Sequence, residues 1–182
     1  MSVADRLRLA YWILFSQPAR DRPLLRLIKC RGVLRILEVG MGTGERARRM
    51  IDIARLASPH KGVFYAGIDL FEERSAADGP GMPLKEAYCR LRGNGVRVQL
   101  IPGDPLASLA QTANSLGRFD LVVISRWPTR DTLGGAWLFL PRILRPTALV
   151  FREQDAPSGA LEQLTPAEIG RLAMPPRARR AA

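Results

Sequence analysis

Residues 34–44, Leu-Arg-Ile-Leu-Glu-Val-Gly-Met-Gly-Thr-Gly, are the segment that most restricts what this chain can fold into. A short apolar run contains the carboxylate of Glu38, and Gly40, Gly42 and Gly44 then stand at alternate positions before a helix-period pattern begins. This order predicts a buried strand, a tight turn and a helix N-terminus, because glycine permits the left-handed backbone of such turns. A turn of this kind lets a ligand approach the backbone at the carboxyl end of a strand. The segment therefore indicates a site for a nucleotide-type cofactor.

Strand-like and helix-like patterns alternate from this segment to residue 153. The predicted strands are short, continuous and rich in Val, Ile and Leu, which is typical of parallel strands covered on both faces. Strands are predicted at 34–39, 63–68, 96–101, 121–125 and 148–152, and helices at 45–57, 83–92, 105–115 and 130–141. The stretch 72–83 is charged and then rich in Gly and Pro, so it is predicted to be a loop. The alternation predicts an α/β fold, a doubly wound parallel sheet of about five strands flanked by helices.

The pattern divides the chain into segments. They are an N-terminal helical extension at 1–33, the sheet domain at 34–153, and a C-terminal segment at 154–182. The extension contains predicted helices at 4–16 and 21–30. The C-terminal segment contains a short helix that starts at Thr165-Pro-Ala-Glu168, where Thr is a typical N-cap and Pro a typical first helical residue. Its basic tail is expected to be flexible.

The apolar segments of the chain are short. None approaches the ~20 residues that a helix needs to span a bilayer, and no signal peptide is recognisable, so the sequence predicts a cytoplasmic protein without a membrane span. Residues 9–15 are predicted to be a packed amphipathic helix, with a helix on a membrane surface as the alternative. Cys30 and Cys89 share no metal or redox spacing and His60 has no partner motif, so we expect buried reduced thiols and no metal site.

The formal charge of the 182-residue chain is +11, with a pI of about 11.0. This charge leaves nucleic acid open as a partner, but the basic residues are mostly scattered arginines without interleaved aromatic residues on which bases could stack. They cluster only at Arg46, Arg48 and Arg49 and in the tail at Arg177, Arg179 and Arg180. A solvated surface is the favoured interpretation, and in the helix at 45–57 we expect Arg46, Arg49 and Arg55 to face solvent.

A carboxylate lies at or just after the carboxyl end of each of the first three predicted strands, which is the edge of the sheet where ligands of such folds bind. They are Glu38 in the first strand, Asp69 after the second and Asp104 after the third, although Asp104 can also be only the cap of the next helix. Glu45 stands where a dinucleotide-binding G-x-G-x-x-G turn needs its third glycine, and no P-loop lysine follows. Acidic strand ends suit a cofactor with positive charge and no phosphate, such as S-adenosylmethionine.

Five motifs in register make residues 34–153 resemble the class I S-adenosylmethionine-dependent methyltransferases. The motifs are Glu38-Val-Gly-Met-Gly-Thr-Gly44, Asp69, Gly103-Asp104, Phe119-Asp-Leu-Val-Val-Ile124, and a segment at 140–151 that keeps Pro146 of the family's Leu-Lys-Pro-Gly-Gly pattern but neither glycine. The resemblance implies a Rossmann-like methyltransferase fold, with Asp69 on the ribose and Asp104 on the adenine amino group of S-adenosylmethionine. The residues that it implies for cofactor binding are Glu38, Gly40, Met41, Gly42, Gly44, Asp69, Leu70, Gly103, Asp104 and Ser125.

The chain departs from this family where the methyl acceptor binds. The fourth strand ends in Ile124-Ser-Arg-Trp127 and lacks the acids with which many small relatives bind metal, so we expect transfer without a metal ion. The family's antiparallel sixth and seventh strands are expected to be missing, which leaves an acceptor site that is open or is completed by a second subunit of a homodimer. The candidates on the acceptor side follow strand four and are Ser125, Arg126, Trp127 and Asp131.

The sequence thus predicts a small methyltransferase whose acceptor, a small molecule or a macromolecule, no motif specifies. The alternative is a non-catalytic binding or scaffold domain that keeps the fold, with association with nucleic acid through the basic surface as one form of it. The missing acids after strand four and the shortened C-terminal end motivate this alternative.

Overall fold

The computed structural model describes residues 3–126, 133–154 and 159–174, and a six-stranded sheet runs through this part of the chain. The strands are β1 (Arg35–Val39), β2 (Val63–Asp69), β3 (Val96–Pro102), β4 (Phe119–Ile124), β5 (Leu144–Glu153) and β6 (Leu161–Leu164). Their spatial order is β3-β2-β1-β4-β5-β6, and all neighbours pair in parallel except β5 and β6. The strand order reverses between β1 and β4, which is where sheets of this kind bind ligands.

Helices cover both faces of the sheet. They are α1 (Val3–Phe15), α2 (Arg22–Arg31), α3 (Glu45–Ala57), α4 (Leu84–Leu91), α5 (Pro105–Leu116), α6 (Leu140–Ile143) and α7 (Pro166–Leu172), with 3-10 turns at Ala19–Asp21, Phe71–Glu73, Ala76–Asp78 and Ala136–Phe139. One apolar core lies between the sheet and α1 to α4, and a second between the sheet and α5 to α7. Because helices cover both faces, β2 is buried along its whole length, and this explains its nearly continuous apolar sequence.

The predicted doubly wound parallel sheet is confirmed, and the elements predicted before residue 126 lie close to those observed. The stretch 72–83, predicted to be a loop, contains two of the 3-10 turns. In the N-terminal extension, Leu9 and Leu24 pack in the same core as Ile36 of β1. The extension is therefore attached to the sheet through shared apolar contacts.

β6 corrects the expectation that antiparallel strands are missing after β5. Its Leu161 and Leu164 pair in antiparallel register with Glu153 and Val150 of β5, and Leu164 is buried. The expectation was wrong because the strand has four residues, with two polar ones between its leucines. A segment of this length shows no usable hydrophobic period.

Other expectations differ from the structure or fall outside it. The described part of the helix predicted at 130–141 is interrupted by a turn at 134–135, after which a 3-10 turn leads into the short α6. Cys30 and Cys89, expected to be buried, are exposed free thiols. The segments 127–132 and 175–182, which contain Trp127, Asp131 and the basic tail, lie outside the described residues. Within the described part of the chain, no helix is long and apolar enough to cross a membrane.

Candidate functional site

The turn after β1 has the left-handed backbone that its glycines predict. Gly40, Gly42 and Gly44 have φ angles of 82°, 59° and 69°, a region that other residues rarely adopt. The amide of Gly40 donates to the carbonyl of Ile68 in β2 at 2.9 Å. A Cβ atom on Gly42 would lie 3.3 Å from the carbonyl oxygen of Pro80. The segment around Pro80 therefore packs closely against this glycine turn.

Glu38, at the carboxyl end of β1, is a buried carboxyl group with one unsatisfied oxygen. The residue is 1% exposed, and its Oε2 accepts a hydrogen bond from the hydroxyl of Tyr65 at 2.7 Å. Its Oε1 has no hydrogen-bond partner among the described residues, since Nη1 of Arg46 lies 4.0 Å away. Burial raises the pKa of Glu38 to about 7, although the Arg46 guanidinium and the Tyr65 hydroxyl oppose this shift. A donor on a ligand would satisfy the unpaired oxygen.

Arg46, in the first turn of α3, connects several acidic and polar side chains at this edge of the sheet. Its guanidinium donates to Asp21 Oδ1 at 3.2 Å, to Ser125 Oγ at 3.1 Å and to Glu153 Oε2 at 3.2 Å. Burial lowers the pKa of Arg46, but the surrounding carboxylates outweigh burial and raise it above its usual value. Arg46 thus holds together the start of α2 and the ends of β4 and β5.

The expectation that the arginines of α3 face solvent is wrong for two of them. The side chains of Arg46 and Arg49 are 10% and 6% exposed, whereas that of Arg55 is 36% exposed. Arg49 lies 3.3 Å from Glu45 Oε2 and also donates to the Glu45 carbonyl. The helical period identified the apolar face of α3, but it carried no information about the neighbouring elements that cover the flanks of that face.

Asp69, the last residue of β2 and the predicted ribose ligand, is engaged by an arginine of the same chain. Arg74 Nε donates to its Oδ1 at 2.6 Å and Arg74 Nη2 to its Oδ2 at 2.9 Å, while the amide of Gly42 donates to Oδ2 at 2.8 Å. The side chains of Asp69 and Arg74 are 1% and 7% exposed. Arg74 also donates to the carbonyl of Asp78 and packs so tightly against Gly81 that a Cβ atom on Gly81 would clash with it. A ribose hydroxyl can reach Asp69 only if Arg74 moves.

Asp104, predicted to contact adenine, and two further residues predicted for cofactor binding, Gly103 and Leu70, have local structural roles. Asp104 is the N-cap of α5, and its Oδ1 accepts from the amides of Leu106 and Ala107 at 2.9 and 3.1 Å. The amide of Gly103 donates to the carbonyl of Asp69 at 2.9 Å. Leu70 precedes the 3-10 turn that begins at Phe71, which has a left-handed φ of 51°. The capping alternative for Asp104 therefore matches its contacts.

A cavity of about 310 Å³ opens beside the glycine turn. The predicted site residues in its wall are Glu38, Gly40, Met41, Gly42, Ser125 and Arg126, whereas Gly44, Asp69, Leu70, Gly103 and Asp104 do not line it. Its wall also contains Arg20, Asp21, Arg46, Arg74 and Glu153. Because both carboxylates and guanidinium groups line it, the cavity can accept a ligand that carries both charges. In the described residues, no group of three or more His, Cys, Asp and Glu side chains is arranged to hold a metal ion.

Comparison with solved structures identifies the fold that surrounds this cavity. The chain is similar to an O-methyltransferase from Bacillus cereus in complex with SAH, with a TM-score of 0.56 and 17% identity over 94% of this chain and 78% of that one. It is also similar to the SAH-bound methyltransferase PaMTH1 of Podospora anserina, with a TM-score of 0.54 and 18% identity over 84% of this chain. The fold is that of the Rossmann-like methyltransferases. The chain covers 62% of the Podospora protein, and no family model or curated protein matches the sequence.

Several residues of this Rossmann-like site were missed by the sequence analysis. Glu153 ends β5 at the same edge as Ser125, so the rule that found the acids of the first three strands could also have found it. Asp21 precedes a helix with Pro in its first turn, and no motif in the sequence indicates its contact with Arg46. Arg74 lies in a stretch predicted to be a loop, and no periodic signal there indicates that it folds back onto Asp69.

Proposed function

We propose that this chain binds S-adenosylmethionine in the cavity beside the glycine turn and transfers its methyl group to an acceptor. The observation that carries the proposal is Glu38 Oε1, a buried carboxyl oxygen at the cavity wall without a hydrogen-bond partner among the described residues. An ammonium group beside Gly40 and Gly42 would give it a charge-assisted partner. The Rossmann-like methyltransferase fold, and the SAH bound to both similar proteins, support the same cofactor.

The residues present fit the amino-acid end of this cofactor as they stand, and they fit its ribose after Arg74 has moved. Glu38 and the turn from Gly40 to Gly42 are open to the cavity and would hold the amino-acid end. Asp69 would hold the ribose once Arg74 has left it, because two carboxylate oxygens can accept from both ribose hydroxyls. The other residues proposed for the cofactor are Met41 and Ser125 at the cavity wall, Gly44 before α3, Leu70 after β2, and Gly103 and Asp104 on the adenine side.

We propose that the residues on the acceptor side contribute to the reaction by positioning the methyl acceptor. S-adenosylmethionine supplies an electrophilic methyl group, so the chain has only to hold a nucleophile in line with it. Ser125 Oγ accepts from Arg46 and keeps its own proton for donation to an acceptor, and Arg126 lines the same cavity and can bind a carboxylate or phosphate. We propose metal-independent transfer, because β4 is followed here by a serine and an arginine. Asp131 is a further candidate from the sequence.

A non-catalytic binding domain is the second candidate function. The closed contact between Asp69 and Arg74 favours it, because this contact occupies the carboxylate that a ribose would need. The charge of +11 leaves nucleic acid open as the partner of such a domain. A domain of this kind would bind nucleic acid with an affinity that falls steeply as salt rises.

Isothermal titration with SAH tests cofactor binding. We expect the wild type to bind SAH and Glu38→Gln to bind it about tenfold more weakly, the lower range for losing a charged hydrogen bond. Glu162→Gln is the matched control, since Glu162 lies on β6 and pairs with Arg152 outside the cavity. Absence of SAH binding by the wild type at millimolar concentration would contradict the proposal.

Radiolabelled S-adenosylmethionine distinguishes the two candidate functions. The chain is incubated with a lysate of its source and the label in macromolecules and small molecules is counted. We expect transfer that Arg126→Ala reduces while SAH affinity is kept. Binding of SAH without transfer to any acceptor would favour the non-catalytic domain.

A further inference from the structure

Helix α1 is apolar on two opposite sides. Its inner side packs into the core through Leu9 and Ile13, which are 2% and 8% exposed. Its outer side carries large apolar residues at helical spacing, Leu7, Tyr11, Leu14 and Phe15, with exposures of 67%, 59%, 47% and 63%. We refer to these four residues as the outer stripe. A helix that is apolar on both sides is normally covered on both, so the outer stripe indicates a binding surface.

Exposed basic residues lie on α1 beside the outer stripe and on α2, the helix that follows it. Residues 3–31, which contain α1 and α2, include seven arginines and lysines but only two aspartates. One of these, Asp21, is buried against Arg46 and contributes no exposed negative charge. On α2, Arg26, Lys29 and Arg31 are exposed, and the side chain of Arg8 on α1 is 51% exposed. The exposed surface of α1 and α2 therefore combines the outer stripe with an excess of positive charge, and we refer to these four basic residues as the basic border.

We propose that the outer stripe and its basic border bind the surface of an anionic lipid bilayer. Aromatic and leucine side chains on one side of a helix enter the boundary between headgroups and acyl chains, and flanking arginines and lysines attract anionic lipids. With 13 residues, α1 is about 20 Å long and lies along the surface instead of spanning the bilayer.

Charge complementarity selects this partner over a second copy of the chain. A two-fold contact through the outer stripe would bring the same basic border of each copy together, and these like charges repel. A bilayer with anionic lipids offers apolar and negative groups at the same time. The turn between α1 and α2 also places Pro18, Arg20 and Asp21 in the wall of the candidate site, so a bilayer-bound chain holds that cavity close to the lipid surface.

Cosedimentation with lipid vesicles tests this proposal. The full chain is mixed with vesicles of phosphatidylcholine alone and of phosphatidylcholine with phosphatidylserine, and the bound fraction is measured. We expect binding only to the vesicles with phosphatidylserine, and Tyr11→Ser/Phe15→Ser should weaken it at least about tenfold. The control is Leu106→Ser/Leu138→Ser, which removes two exposed leucines, 39% and 43% exposed, from α5 and from the 3-10 turn at Ala136–Phe139, on the opposite side of the sheet.

Several outcomes would overturn the proposal. One is that the wild type does not bind vesicles with phosphatidylserine, and another is that both double variants bind them as well as the wild type does. A third is that the wild type binds no vesicles but is a dimer in light scattering, which Tyr11→Ser/Phe15→Ser converts to monomers. Circular dichroism verifies that each variant is folded. If the double variant does not fold, the single change Phe15→Ser is compared with Leu138→Ser under the same criteria.

Discussion

Replacing Arg74 by methionine should make the folded chain less stable and the binding of SAH tighter. The change keeps an unbranched side chain packed against Gly81 but removes the guanidinium group that holds both carboxylate oxygens of Asp69. Arg74 and Asp69 are both almost completely buried, so the carboxylate loses its charged partner in a place that water cannot reach. The two effects have opposite signs because one side chain stabilises the free chain and competes with the ligand.

The structure sets the size of both effects. Removing one partner of a buried ion pair costs about 3–5 kcal/mol, and we expect the lower end because the amides of Gly42 and Phe71 still face Asp69. For a chain of this length, about 3 kcal/mol corresponds to a decrease in Tm of roughly 6–12 °C. A ribose hydroxyl no longer has to displace a charged hydrogen bond of about 1.5–3 kcal/mol, so affinity for SAH should rise by about 10- to 100-fold.

Thermal denaturation and isothermal titration with SAH measure the two effects on the same preparations. Arg48→Met is the matched control, because Arg48 also pairs with a buried aspartate, Asp52, at 3.2 Å, but is itself 47% exposed. It should cost at most about 1 kcal/mol and leave the affinity unchanged. If Arg74→Met is folded and binds SAH no better than the wild type, Arg74 does not compete with the cofactor for Asp69.

Other predictions concern Glu38, the glycine turn and the cap of α7. Because burial raises the pKa of Glu38 from 4.5 to about 7, the folded chain binds more protons than the unfolded chain between these pH values. The free energy of unfolding should therefore fall by up to roughly 3 kcal/mol as pH rises through this range. Urea denaturation at pH 5 and 8 should show this loss in the wild type but not in Glu38→Gln. Gly42→Ala should destabilise by about 1–2 kcal/mol because its φ is 59°, whereas Gly170→Ala, in α7 with open space around it, should not destabilise the chain. Thr165→Ala should raise the pKa of Glu168 towards its usual value, as NMR titration would show, because hydrogen bonds from the backbone amide and the side chain of Thr165 lower it.

The fold could be predicted largely because its signals are local. Strands covered on both faces give short apolar runs, and the glycines of the turn after β1 are required by a left-handed backbone that only glycine adopts easily. β6 was missed because its signal is not local. Leu161 and Leu164 belong to a strand because their segment pairs with β5, and the sequence of the segment itself has no repeating apolar pattern.

The site was predicted less completely, since sequence spacing identifies which groups reach the carboxyl edge of the sheet but not which groups already neutralise them. Glu38, Ser125 and Arg126 do meet at one cavity. The arginines that pair with the site acids come from a helix face predicted to be solvated and from a predicted loop. Their positions depend on contacts between distant segments, such as Arg46 with Glu153, that no period or motif encodes.

The existing partners of the strand-end acids determine the order in which a cofactor can bind. Asp69 is held by Arg74, and Asp104 caps α5, whereas the buried Glu38 Oε1 has no hydrogen bond that an incoming donor would have to displace. We therefore expect the ammonium end of S-adenosylmethionine to meet Glu38 first and the ribose to reach Asp69 in a slower second step, after Arg74 leaves. Stopped-flow measurement of SAH binding should give two phases in the wild type and one in Arg74→Met. If Arg74→Met shows the same two phases as the wild type, the slow step is not the departure of Arg74 from Asp69.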